Sequence, residues 1–140
     1  MPIGNLTFDA ADPERLCAFW TAALGYEEEE PPPGLLDELR AAGWTEEDMT
    51  SRRAARDPDG VGPRLYFQRV PEAKQAKNRL HLDLNAAAGR RAERAEVDAE
   101  AERLIALGAT RIRVHDGMLG PFPEYHHVMA DPEGNEFCVQ

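Results

Sequence analysis

Cysteine is scarce in this chain: Cys17 and Cys138 are the two in 140 residues. They form no CxxC pair and no zinc-type spacing, which excludes a disulfide framework and fits a reducing compartment. Long apolar runs are missing as well, and no basic segment followed by an apolar one stands near the first residue. The expectation is a cytoplasmic protein that does not contact a membrane. Basic residues are outnumbered, 16 against 26 acidic ones, so a net charge of −10 repels polyanions and argues against nucleic acid as a partner. No glycine loop that cradles phosphate occurs, and no nucleophile elbow or oxyanion-hole pattern. The turns DPDG (57–60) and DPEG (131–134) lack the alternating oxygen ligands of a calcium loop. Proline at the second position and glycine at the fourth make them hairpin turns.

What is present is a phrase written twice. A helix-like run at 16–25 (LCAFWTAALG) ends in Leu-Gly, and a second at 101–108 (AERLIALG) ends the same way about 83 residues later. Each is followed by one of the Asp-Pro turns, which lie about 74 residues apart, so the first copy carries an insertion. At 140 residues with 42% apolar composition, the chain is one compact domain able to bury a core without disulfides or structural metal.

Residues 3–8 alternate, with Ile3, Asn5 and Thr7 on one face and Leu6 and Phe8 on the other, which predicts a strand. Asp12 caps a helix opened by Pro13, whose missing N–H costs nothing there. Leu16, Phe19, Trp20, Ala23 and Leu24 form its buried stripe, and Gly25 stops it. A second strand is expected at 26–30, then helical spacing over 35–49 broken at Gly43 and restarted at Thr45. This segment, 31–56, is read as an insertion covering one edge, with Trp44 either packing there or lidding a cavity. Weak strand character at 51–56 precedes a better strand at 64–70, and 71–78 reads as a linker.

The second copy opens at 79–84 (RLHLDL), with Leu80, Leu82 and Leu84 expected inward and His81 and Asp83 on the opposite face. A helix over 91–107 and strands at 110–114, 125–130 and 135–140 complete it, with a loop around Gly117 and Gly120. His126 and His127 point to opposite faces of their strand, so one of them faces a cavity. His115 falls at a strand end and is expected to be solvated. Cys17 reads as core packing, and Cys138 would act as a nucleophile only with His81 as its base. Strand–helix–strand–strand–strand, done twice, predicts an α+β fold whose curved, half-open sheet encloses a small-molecule cavity with helices outside.

These elements resemble the vicinal-oxygen-chelate superfamily of glyoxalase I, extradiol dioxygenases and bleomycin-resistance proteins, and most closely its glyoxalase-like branch. The resemblance is carried by DPERL with Phe19-Trp20 and Leu24-Gly25, by FQRVP (67–71), NRLHLD (78–83) and DPEGNEFC (131–138). It implies paired βαβββ modules at about 1–72 and 78–140, a homodimer, and a ligand site on the sheet. It also implies a divalent-ion site with one residue from the first and last strand of each module. By strand position these become Asn5, Gln68, His81 and Cys138, of which only His81 is the usual residue. Placing Glu136 instead of Cys138 gives a His81, Gln68, Glu136 set resembling a non-haem iron or manganese site.

Two functions follow from the resemblance. The first is a binding protein without a complete metal site, its ligand touching Asn5, Thr7, Tyr66, Gln68, His81, Asp83, Glu136 and Cys138. The alternative is a metal-dependent lyase, isomerase or dioxygenase using iron, manganese, nickel or zinc, with His81 and Glu136 as catalytic residues.

Overall fold

A computed structural model describes residues 3–140. Two compact units, Met1–Ala73 and Lys74–Gln140, each hold one four-stranded mixed sheet. In the first unit the elements are β1 (Asn5–Ala10), α1 (Pro13–Leu24), β2 (Glu27–Glu28), α2 (Leu35–Ala41), α3 (Glu46–Thr50), β3 (Arg52–Arg56) and β4 (Arg64–Arg69). The second unit contains β5 (Asp83–Leu84), α4 (Arg94–Ala106), β6 (Thr110–Leu119), β7 (Phe122–Ala130) and β8 (Glu136–Val139). Sheet orders β1-β4-β3-β2 and β5-β8-β7-β6 match, with the first and last strands parallel and the rest antiparallel. The duplicated phrase is thus a duplicated βαβββ topology, and α2 and α3 are extra to it.

In the first unit Asp12 accepts the Arg15 N–H at 3.1 Å, and Gly25 ends α1 in the left-handed region at φ 69°. The apolar stripe of α1 buries Leu16, Phe19, Trp20 and Ala23 against the Phe67 side of the sheet. Phe8 completes this core, 5.4 Å from the Trp20 ring and 5.1 Å from Phe67. Because side chains alternate along a strand, Asn5, Thr7, Arg64, Tyr66, Gln68, Arg52 and Ala54 share the other face. In the second unit Val97, Ala101 and Leu104 of α4 cover Met129, Phe137 and Val139. His81, Asp83, Arg113, His115, His126, Glu136 and Cys138 lie on the face away from that helix.

Thr45 caps α3 through a reciprocal pair with Asp48, as its position after Gly43 predicts. The weak 51–56 strand is real: β3 pairs with both β2 and β4, and its polarity reflects a sheet face left open beside an edge. Three expectations need correction. Only Asp83 and Leu84 of 79–84 are in a ladder, and Leu80 is 69% exposed instead of facing inward, because a two-residue strand has no room to order its flank. The predicted loop around Gly117 is instead one long hairpin, since β6 and β7 pair through Leu119 and Phe122. His115 therefore sits mid-strand and half-buried, not solvated at an end. Among the described residues, no helix is long and apolar enough to cross a membrane.

Candidate functional site

β5 and β8 set the central cluster. Asp83 lies opposite Cys138 in parallel register, and His81, just outside the ladder, reaches the Asp83 carboxylate. The ligating atoms of His81, Asp83 and Cys138 fall within 4.8 Å of one another, with His81 Nε2 3.3 Å from an Asp83 carboxylate oxygen. Burial pushes the Cys138 thiol above its ordinary value, and the Asp83 charge and hydrogen bond add to the shift. Asp83→Asn removes that charge and should speed iodoacetamide alkylation of Cys138 at pH 8 by about threefold or more, since the thiolate is the reactive form. Cys17, fully buried with its thiol pushed up to about 11, should stay unmodified in the folded protein.

Glu136 shares the Cys138 face of β8 two residues away, but its carboxylate is engaged by the Asn78 backbone N–H at 3.0 Å and by Lys74 Nζ at 3.3 Å. Those bonds, the Asn78 one foremost, hold it below the usual glutamate range. A depressed folded value means stability present above the unfolded value and lost as pH falls through the folded one. Urea stability should therefore drop below about pH 4.5, the ordinary glutamate value, and Glu136→Gln should flatten part of that drop.

In the first unit Asn5 Oδ1 accepts from Arg64 at 3.3 Å, and Gln68 Nε2 donates to Asp9 at 2.8 Å. Thr7 stands beside Tyr66, whose ring lies 5.5 Å under the Arg64 guanidinium. Arg64 in turn forks onto Glu29 at 2.7–2.9 Å. Next to Tyr66, the face opens into a cavity of about 570 Å³ between β2, β3, β4 and the α2–α3 insertion.

Of the histidine pair, His126 takes the open face and His127 the helix side. His127 is 2% exposed; its Nδ1 accepts from Arg111 Nε at 3.1 Å, which leaves Nε2 to donate to Asp98 at 2.8 Å. Tyr125 donates to the same carboxylate oxygen at 2.6 Å. His127 therefore fastens α4 to β7 and lies on the face opposite the cluster. His126 stacks on His115 at 4.8 Å, with Glu124 3.2 Å from His115 and 3.7 Å from His126. Desolvation, ahead of the charges around it, lowers the His126 value. Sequence reasoning missed Arg52, Glu124 and Asp98, though their positions on alternating strands or an i, i+3/i+4 helix face were available signals.

The donor set at His81, Asp83 and Cys138 supplies nitrogen, oxygen and sulfur, chemistry that fits a borderline ion once sulfur gives up its proton. The carboxylate at 136 does not join it, being held by Lys74 and Asn78.

Residues 5–140 match the family model described as "Glyoxalase-like domain". No curated protein matches the chain in sequence. Among solved structures, a glyoxalase/bleomycin resistance protein/dioxygenase family enzyme from Burkholderia phytofirmans is similar at 16% identity and TM-score 0.65, over 99% of this chain and 97% of that one. The fosfomycin resistance protein FosX from Mesorhizobium loti gives 14% identity and TM-score 0.63, over 99% and 90%. FosX from Listeria monocytogenes, complexed with Mn(II) and 1S,2S-dihydroxypropylphosphonic acid, gives 14% and 0.58, over 100% and 87%. Such identities speak for the fold alone, while the family model spans nearly every residue. The chain belongs to the glyoxalase-like domain family.

Proposed function

We propose that this protein binds a small organic molecule on the open face of a sheet and does so without a complete metal site. The observation that carries the reading is the cavity of about 570 Å³ over Tyr66 and Ala54, of a size that takes a small ligand. Further support comes from two of the four positions the family uses for metal. Asn5 and Gln68 are neutral amides already bonded to Arg64 and Asp9. Amides are weak donors for a divalent ion. A screen of small organic molecules by amide NMR tests the binding reading. Hits should shift Tyr66, Ala54 and Thr7; shifts confined to other surfaces, or none, would contradict it.

The second reading, a metal-dependent lyase, isomerase or dioxygenase, is favoured by the convergence of His81, Asp83 and Cys138. There these residues would hold a divalent ion acting as a Lewis acid on substrate oxygens. We also propose a homodimer in the cytoplasm. The long edge strand β6, with Met118, Leu119 and Phe122 exposed at its hairpin tip, supports association. A monomer in solution scattering would contradict that part.

A further inference from the structure

The geometry points to an apolar monocarboxylate as the occupant of the cavity between the α2–α3 insertion and the β2–β3–β4 edge of the first sheet, its carboxylate met by Arg52. This deepens the binding reading and rests on it. Four arginines line the cavity, and three are already neutralised. Arg40 holds Asp37 and Glu46 at 3.1 and 3.0 Å, Arg53 holds Glu14 and Glu28 at 3.5 and 3.2 Å, and Arg64 holds Glu29 at 2.7 Å. Arg52 has no carboxylate within ion-pair distance among the described residues. Its guanidinium lies 5.1 Å from the Trp44 ring centroid and donates to the Ser51 hydroxyl at 3.2 Å. Asp48 feels its charge but stands beyond ion-pair distance, its Oδ2 accepting from the Thr45 N–H and hydroxyl at 2.8 and 2.7 Å. A cation steadied by an aromatic ring, with fork donors to spare, is suited to a carboxylate.

The body of the ligand follows from the insertion. Neither α2 nor α3 buries a single residue, and Leu35 and Leu36 remain 36% exposed although they line the cavity with Met49 and Tyr66. These side chains leave water only when something apolar fills the space, so an aromatic or aliphatic body gains contact there. The charge of the ligand follows from the rim. Glu30 is a lining carboxylate without an ion-pair partner among the described residues, so a second negative charge would meet repulsion. One carboxylate and an apolar body satisfy all three constraints.

The test compares 4-phenylbutanoate with 4-phenylbutanamide, the same body without the charge, on the full chain. Binding is followed by tryptophan fluorescence, to which Trp44 contributes beside the buried Trp20, and by amide NMR shifts at residues 44–54. The acid should bind about tenfold or more tightly than the amide, the worth of a charge-assisted hydrogen bond. In Arg52→Gln that preference should fall to about one while the amide's own affinity stays. Arg52 is exposed, so the variant should fold, and an unchanged NMR spectrum away from residue 52 verifies it. Equal affinities for acid and amide in the unaltered protein, or a preference that survives Arg52→Gln, would overturn the carboxylate assignment and leave the binding reading standing. Shifts at residues 44–54 from neither probe would also overturn it; the binding reading itself falls only if the wider screen leaves Tyr66, Ala54 and Thr7 unmoved.

Discussion

Asp131→Ala should destabilise the protein by about 2–4 kcal/mol in urea denaturation, with the midpoint shifted and the slope unchanged. The residue is 3% exposed and opens the turn between β7 and β8. Its carboxylate accepts from the backbone N–H of Glu133 and of Asn135, both at 2.9 Å, and from the Asn135 side chain at 2.9 Å. Alanine leaves those donors in a place water reaches poorly, and an orphaned buried donor costs more than a bond gained is worth. The matching turn of the first unit offers an internal comparison. Asp57 accepts from Asp59, Val61 and Gly62 at 3.0, 3.0 and 2.7 Å, but it is less deeply buried. Water can substitute there, so Asp57→Ala should cost clearly less than Asp131→Ala. A loss at Asp131 no larger than at Asp57 would show that the deeper turn is not what orders β8.

His127→Ala should cost about 2–4 kcal/mol, because it removes a packed ring and the link from β7 to α4 together. Three groups lose one of their partners: Arg111 the acceptor of its Nε, Asp98 one of two donors, and Tyr125 the ring it meets edge-on at 5.7 Å. Hydrogen exchange should rise along α4 more than along the rest of the second unit, since the link is local. Asp98→Asn keeps an acceptor for both Tyr125 and His127, and the partly exposed carboxylate it replaces is in contact with water, so its effect should be under about 1 kcal/mol. Equal losses from the two substitutions would place the stabilisation in the Asp98 charge and not in the buried ring.

The sequence made the topology legible because its signals are local. Leu-Gly helix ends and Asp-Pro-x-Gly turns depend on a few adjacent residues, and they recur in both copies where α1, α4 and the two hairpins stand. Strand alternation likewise placed Asn5, Thr7, Tyr66 and Gln68 on one face and His81, Asp83, Glu136 and Cys138 on another. Side-chain partners were less legible. That Glu136 turns to Lys74 and Asn78 depends on how 74–78 runs past β8, and a segment without periodicity carries no such instruction. The failure at Leu80 has a similar source: RLHLDL alternates cleanly, yet alternation cannot say how many residues a neighbouring strand will pair. The 115–124 stretch misled in the opposite direction, because glycines and prolines that usually mark a loop are here accommodated within a hairpin whose turn has Gly120 at φ 58°.

Arg52 shows why the candidate ligand site could not be read in full. Its importance lies in the pairing of Arg40, Arg53 and Arg64 with carboxylates from four different segments, which leaves one cation over. Composition reports the arginines and the glutamates, and only the fold says which of them meet.

The most direct test of the account is elemental analysis of protein purified without chelator or affinity metal, beside the same measurement on His81→Ala. Neutral amides at positions 5 and 68, already bonded to Arg64 and Asp9, and a carboxylate at 136 held by Asn78 and Lys74 predict far less than one ion per chain in both proteins, and no thermal stabilisation by added iron, manganese, nickel or zinc. Near-stoichiometric metal that disappears in His81→Ala would contradict it, and would make the His81, Asp83 and Cys138 cluster a metal site.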